Sequence, residues 1–296
     1  MEGDWSEMNL SSEVLIRRAT AADAEDCGRI CFKAFAGINR QHGFPPDMPS
    51  PEYGIGLLKS LFSNSGCHCI VAEEGGRLVG SNCVDERGVI SGLGPISVDP
   101  NCQNRSVGTK LMRAAIDHSL ERGAAGVRLL QAAFHNRSLS LYTKLGFDPR
   151  EPMSVLQGPP IHKQFQGCVV RPAGANDVDA VNRVCMSVHG HLRAAEFSDG
   201  ISSGAAHVVE RHGQVTGYCS SLAFFGHSAG FSNLDLQALI AAADGFSGPG
   251  ILVPTRNAEL FRWCLQMGLR VVYPMTLMSI GLYNEPRGAY LPSILY

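Results

Sequence analysis

The residues best equipped for chemistry lie between Val98 and Leu111, where the chain reads Val-Asp-Pro-Asn-Cys-Gln-Asn-Arg-Ser-Val-Gly-Thr-Lys-Leu. Small and polar residues tip here into an amphipathic run. Val107, Leu111, Met112, Ala115, Ile116 and Leu120 recur at the spacing of one helix face, and Gly123 suits the left-handed residue after the last turn. A loop that turns into a helix start leaves several backbone N–H groups without partners, aimed one way and backed by the positive end of the helix dipole. Such a place holds an anion, most simply a phosphate. The spacing is neither a Walker A loop, which needs Gly-Lys-Ser/Thr at the helix start, nor Gly-x-Gly-x-x-Gly. The bland alternative is a strand end followed by a helix that Ser106 caps.

Other reactive residue types carry less. In a strand, Cys67 and Cys69 share one face while His68 points to the other, and no second pair stands at zinc spacing, so core packing explains them better than a metal. His189 and His191 are two ligands too few and read as polar surface or core. Ten cysteines scattered through 296 residues suggest reduced, mostly buried thiols. A formal net charge of −2, near balance in both halves, argues against a nucleic-acid partner. No stretch approaches the ~18 apolar residues that a membrane span needs. Met1–Asn9 is acidic and polar, unlike a secretory leader, which points to the cytoplasm.

The elements that must position the loop follow in order. Val14–Arg18 reads as a strand, Thr20 with Asp23 as a helix start, Gln41–Pro51 as a surface loop and Tyr53–Phe62 as a second helix. Cys67–Glu74 and Arg77–Val84 are strands joined by Gly75-Gly76. Val89–Val98 is a strand that Gly92, Gly94 and Pro95 should interrupt, since proline cannot donate to a ladder. Val127–Ala133 is a buried strand, followed by a short helix that Asn136 caps and Gly146 ends.

Val98, Pro100, Gln103, Ser106 and Gly108 resemble the signature Val-x-Pro-x-x-(Gln/Arg)-x-x-Gly-x-(Gly/Ala) of the GNAT N-acetyltransferases, with Ser106 where the family usually has Gly. Asn136, Ser140, Tyr142, Lys144, Gly146 and Phe147 resemble the family's second signature, in the right order and at the right distance. The resemblance implies acetyl-CoA as co-substrate. Its diphosphate would rest on the amides of Gln103, Asn104, Arg105, Ser106, Val107, Gly108 and Thr109, and its pantetheine arm would lie beside Ile96 and Val98, with Asn136 touching the arm. It also places the helix-loop-helix before Phe62 over the acceptor. Tyr142 takes the role of general acid, a phenol protonating the departing thiolate, whereas the residue-level alternative makes it part of an apolar stripe with Leu139 and Leu145. The usual base, a Glu on the strand before the loop, is missing. His135, water, Glu73 and Glu74 all stay open.

Gln157-Gly158-Pro159-Pro160 breaks structure, and the second half repeats the first faintly. Arg17-x-Ala19-x-x-x-Asp23 recurs as Arg171-x-Ala173-x-x-x-Asp177, Gly76-x-x-x-Gly80 as Gly213-x-x-x-Gly217, and Asn136 as Asn257. Neither signature recurs. The sequence thus predicts an α/β (α+β) protein of two GNAT-like domains, each a mixed, mostly antiparallel sheet flanked by helices. Residues 1–157 form an acetyl-CoA-binding domain, 158–166 a linker, and 167–296 a degenerate copy with a docked tail. The expected activity is acetyl transfer to a small-molecule or peptide amine, with no metal, no nucleic acid, no membrane, and no indication of oligomeric state. A non-catalytic acyl-CoA sensor and a protein-interaction module are the alternatives.

Overall fold

The computed structural model describes residues 13–295, so the reading of Met1–Asn9 lies outside it. The first half runs β1 (Leu15–Arg18), α1 (Ala24–Gln41), α2 (Pro51–Ser63), β2 (Cys67–Glu74), β3 (Arg77–Asp85), β4 (Ile90–Leu93), β5 (Ser97–Val98), α3 (Val107–Glu121), β6 (Gly126–Ala132), α4 (Asn136–Lys144) and β7 (Asp148–Gln157). The second half repeats much of that order: β8 (Val169–Pro172), α5 (Val178–His189), α6 (Ala194–Ser202), β9 (His207–Arg211), β10 (Gln214–Cys219), β11 (Ser228–Gly230), α7 (Asn233–Ala242), β12 (Ile251–Pro254), α8 (Ala258–Gln266), β13 (Arg270–Gly281) and β14 (Ala289–Leu291).

Two sheets form among the described residues. The first has nine strands, in the order β1-β2-β3-β4-β6-β13-β7-β12, with β5 pairing β3 off that path. The second is β14-β11-β10-β9-β8. All neighbours are antiparallel except β4 and β6, which run parallel through Ile90–Gly92. The order β6-β13-β7-β12 is palindromic, because β6-α4-β7 and β12-α8-β13 are equivalent pieces of the two halves. Each half has therefore passed its last strand across the seam, and β13 sits between β6 and β7. The hydrogen-bonded sheet thus continues across Gly158, built from strands on both sides of it.

The cores follow the same exchange. Met153 and Val155 of β7 share one cluster with Val181 and Val184 of α5 and Tyr273 and Leu277 of β13. Under α3, Leu111, Met112, Ala115 and Ile116 pack on Val79, Val127 and Leu129, and Met278 from the second half joins them. Leu120, placed on this face by its spacing, is instead 51% exposed, because it sits in the last turn, beyond the sheet that the rest of the stripe covers. α1 and α2 approach backbone to backbone where a Cβ on Gly28 would lie 2.4 Å from Ile55 Cα. Gly75 and Gly76 both take positive φ in the β2–β3 turn. No helix among the described residues is long and apolar enough to cross a membrane.

Candidate functional site

Gly94, Pro95 and Ile96 divide the region read as one strand into β4 and β5. β4 pairs β3 at Leu93 and Gly92, and β5 pairs β3 at Ser97 and Val98. β6 follows β4 only as far as Arg128. Beyond that point β5 and β6 diverge, and their facing edges, Leu93–Val98 and Leu129–Ala132, line one cavity of about 770 Å³. Its size is that of a site for a sizeable ligand.

The loop before α3 closes one end. Gln103, Asn104, Ser106, Val107, Gly108 and Thr109 line the cavity together with Ile96, Val98 and Asn136. Asn104 and Ser106 both adopt left-handed backbone, φ 69° and 63°, so successive N–H groups turn toward a concavity. Ser106 does not cap the helix as its residue type suggested. A cap needs extended backbone, and its left-handed geometry leaves the hydroxyl without the cap hydrogen bond. The first turn of α3 holds no acidic residue, so its positive end stays open to an outside anion. Arg105 is outside the lining, 61% exposed and 3.6 Å from Glu74. Arg137, a residue the sequence did not single out, ties the loop to α4 by donating to Gln103 Oε1 at 3.3 Å and Asn104 Oδ1 at 2.6 Å.

Tyr142 and His135 reach the same cavity. Tyr142 is 8% exposed, packs 6.2 Å from Phe147, and its phenol is pushed up by burial, which keeps the proton on oxygen. Asn136 is the first residue of α4 and not its cap. The preceding His135 holds the capping position without a side-chain bond. The His135 imidazole is pushed down, first by burial, then by Arg137 and His42. Glu73 and Glu74 lie outside the lining, and Glu73 is engaged by Arg17 at 3.1 Å.

Among the described residues lining the cavity, the one carboxylate is Asp47, which the sequence left in a surface loop. That loop folds inward. Met48 is buried, Asn39 donates to Pro45 O at 3.0 Å and Asp47 Oδ1 at 3.1 Å, and the buried Tyr273 of β13 lies near the carboxyl group. Burial pushes the Asp47 carboxyl up. A lone acid in a short loop rich in proline gave only a weak signal, and its partner Tyr273 lies 226 positions away.

The equivalent slot in the second half is filled from within. β14 pairs β11 through Ser228–Leu291 and Gly230–Ala289 and packs against β12, taking the place that the first half leaves open between β5 and β6. At the start of α7, buried Asp235 accepts from Ser232 N at 2.9 Å, Ser232 Oγ at 2.7 Å and Thr216 Oγ1 at 2.6 Å. A carboxylate of the chain itself thus sits where α3 offers bare amides. Beyond β14 the chain continues to Ile294 and Leu295, which line the first half's cavity.

The remaining polar clusters lie elsewhere. His189, His191 and His227 are buried together, with the Nε2 atoms of His189 and His227 3.1 Å apart, so they belong to the core. Opposite the buried Cys67 and Cys69, the donor atoms of His68, Glu86 and His118 lie within 4.8 Å of one another. Arg18 donates to His68 Nδ1 and Arg122 Nε stands 3.5 Å from Glu86, so two cations already occupy its surroundings. Sequence spacing could not show this cluster, since β2, the turn after β3, and α3 each bring one member.

A splayed mixed sheet, an unblocked helix start and a buried tyrosine between them define a fold of the GNAT type. Residues 36–147 match the acetyltransferase (GNAT) family. An uncharacterized N-acetyltransferase of Methanocaldococcus jannaschii is 26% identical over 150 residues, 48% of this chain and 64% of its own, so this chain spans less than two thirds of that relative. A crystal structure of a candidate acetyltransferase from Pyrococcus horikoshii shares the fold over 96% of both chains, with a TM-score of 0.71 at 19% identity. A tandem GNAT protein from the clavulanic acid biosynthesis pathway aligns over 91% of this chain and 98% of its own, with a TM-score of 0.57 at 12% identity. Both halves are therefore of this fold.

Proposed function

We propose that the protein transfers the acetyl group of acetyl-CoA to an amine, with residues 13–157 holding the cofactor loop and residues 167–295 walling the acceptor end. The observation that carries this reading is that one cavity joins Gln103, Asn104 and the start of α3 at Ser106, Val107, Gly108 and Thr109, the free edge at Ile96 and Val98, and Tyr142. Acetyl-CoA would supply an activated acyl thioester. The amides before α3 and the side chains of Gln103 and Asn104 fit its diphosphate, and the edge of β5 fits its amide-bearing arm as an added strand would. Tyr142, kept protonated by burial, has a proton to give where a thiolate would leave, and water is scarce around it. His135, at the neck between the two ends, is suited to pass a proton outward. The ten cysteines are all free thiols, which suits a reducing cytoplasm as the setting.

The test separates binding from chemistry. Calorimetry should give one acetyl-CoA per chain, and thiol release should depend on an added amine. Tyr142→Phe should lower kcat about 100-fold or more with the acetyl-CoA Kd unchanged. An unchanged kcat would remove Tyr142 from the reaction, and binding without turnover on any acceptor would favour an acyl-CoA sensor.

A further inference from the structure

Resting on the acetyl-transfer reading, we propose that Asp47 is the acceptor-binding and proton-accepting group, and that the acceptor is a cationic primary amine carried on an apolar body.

The acceptor end is assembled from both halves. α1, α2 and the loop between them contribute Ile38, Tyr53 and Leu57, while Phe224, Phe225 and Met275 come from the second half. A stack of rings fixes this end. Phe44 lies 4.4 Å from Phe134, both pack on Tyr273 at 6.1 and 5.9 Å, and His42 lies 5.4 Å from Phe134. Phe134 precedes His135, so the stack ties the loop bearing Asp47 to the segment bearing His135, and both residues line the cavity. Asn39 holds the carboxylate by one hydrogen bond with Tyr273 nearby, and Asp47 still lines the open space.

The charge pattern is selective. The cationic side of the cavity is Arg137 at the cofactor end, and Asp47 is the single carboxylate among the described lining residues, surrounded by rings and aliphatic chains. An ammonium group is the ligand that relieves a half-buried carboxylate, and aromatic faces favour it further. A polyamine would find one anion for several charges, and a carboxylate-bearing acceptor would meet Asp47 directly. Burial raises the affinity of Asp47 for a proton, in the direction a base requires. In the balanced step, Asp47 takes one proton from the ammonium, the freed nitrogen bonds the acetyl carbon, the carbon–sulfur bond breaks, and the thiolate takes the proton of Tyr142. Asp47 releases its proton to water, and the second proton on nitrogen returns to the Tyr142 phenolate, so both groups are reset.

The probes are phenethylamine, spermidine and 2-phenylethanol, presented to the full chain loaded with coenzyme A and followed by calorimetry, with acetylation rates measured separately. Phenethylamine should bind and the other two should bind at least tenfold more weakly. Asp47→Asn should abolish that binding and lower kcat/KM for phenethylamine about 100-fold, Asp47→Glu should recover most of it, and the acetyl-CoA Kd should stay fixed in both. Tyr273→Phe, which keeps the carboxylate, should weaken phenethylamine severalfold and serves if Asp47→Asn fails to fold. Equal binding to wild type and Asp47→Asn, preference for spermidine, equal affinity for 2-phenylethanol, or no phenethylamine binding to wild type would each overturn the proposal. Loss of acetyl-CoA binding in the wild type would instead remove the transfer reading, leaving the phenethylamine result to stand on its own.

Discussion

The repeated Arg-x-Ala-x-x-x-Asp motif makes a quantitative prediction. Asp23 accepts from Arg17 at 2.9 and 2.8 Å, from Thr20 N at 2.7 Å and from Thr20 Oγ1 at 2.8 Å. In the second half Asp177 accepts from Arg171 at 2.8 and 2.7 Å and from Gly174 N at 2.8 Å. Each carboxylate ties a first strand to the following helix start, and its side chain is 10% exposed. Asparagine keeps the shape and one acceptor oxygen but turns an amide toward the guanidinium. Losing a charge-assisted bond costs roughly 1.5–3 kcal/mol and weakening a helix cap about 1 kcal/mol. Arg17 and Arg171 are 34% and 38% exposed, so water recovers part of that. Asp23→Asn and Asp177→Asn should therefore each cost about 2 kcal/mol, or about 4 °C in Tm for a chain of this size. The sites are far apart, so the double variant should lose about twice as much. Because β13 lies inside the first sheet, both substitutions should move one and the same transition. The Arg17 and Arg171 guanidinium groups hold the two carboxyls below the usual carboxylate range. Their contribution is thus complete above an unfolded pKa of about 3.9 and fades as pH falls below it, so the gap between wild type and variant should narrow from about pH 4 downward. Thermal melts followed by circular dichroism at pH 7 and pH 3 measure this. Two separable transitions, each moved by one substitution, would refute the coupling, and an unchanged Tm would refute the energetics.

Two further predictions concern the frame of the cavity. Gly28→Ala puts a methyl 2.4 Å from Ile55 Cα, where only backbone could give way. It should cost about 2–3 kcal/mol and, by splaying α1 from α2, lower kcat/KM for the acceptor while leaving the acetyl-CoA Kd unchanged. Ser106→Gly removes left-handed strain of about 1–2 kcal/mol and gives back about 0.4–1 kcal/mol in chain entropy, so Tm should rise by about 1–2 °C. A fall in Tm would show that the Ser106 side chain stabilises the loop.

The sequence showed what local rules govern. Periodicity located α3, paired glycines located the β2–β3 hairpin, and Pro95 located the break between β4 and β5. The family was legible because both motifs are contiguous, each within about a dozen residues. What escaped depends on long-range pairing. Nothing in the spacing of β7 and β13 says that they trade places, since both halves expose the same strand type to the same edge. Asp47 escaped because its partner Tyr273 and the ring stack come from distant segments. Ser106 was misjudged as a cap because its residue type favours capping while its backbone, set by the loop, forbids it.

The segment at 289–291 fills the second slot from within, so the chain supplies its own occupant where the first half keeps an open cavity. The seven residues 289–295 then run on to the open cavity, so a single ribbon plugs one slot and trims the other. Lengthening or shortening that ribbon would reshape the part of the cavity that Ile294 and Leu295 line and leave the loop before α3 as it is.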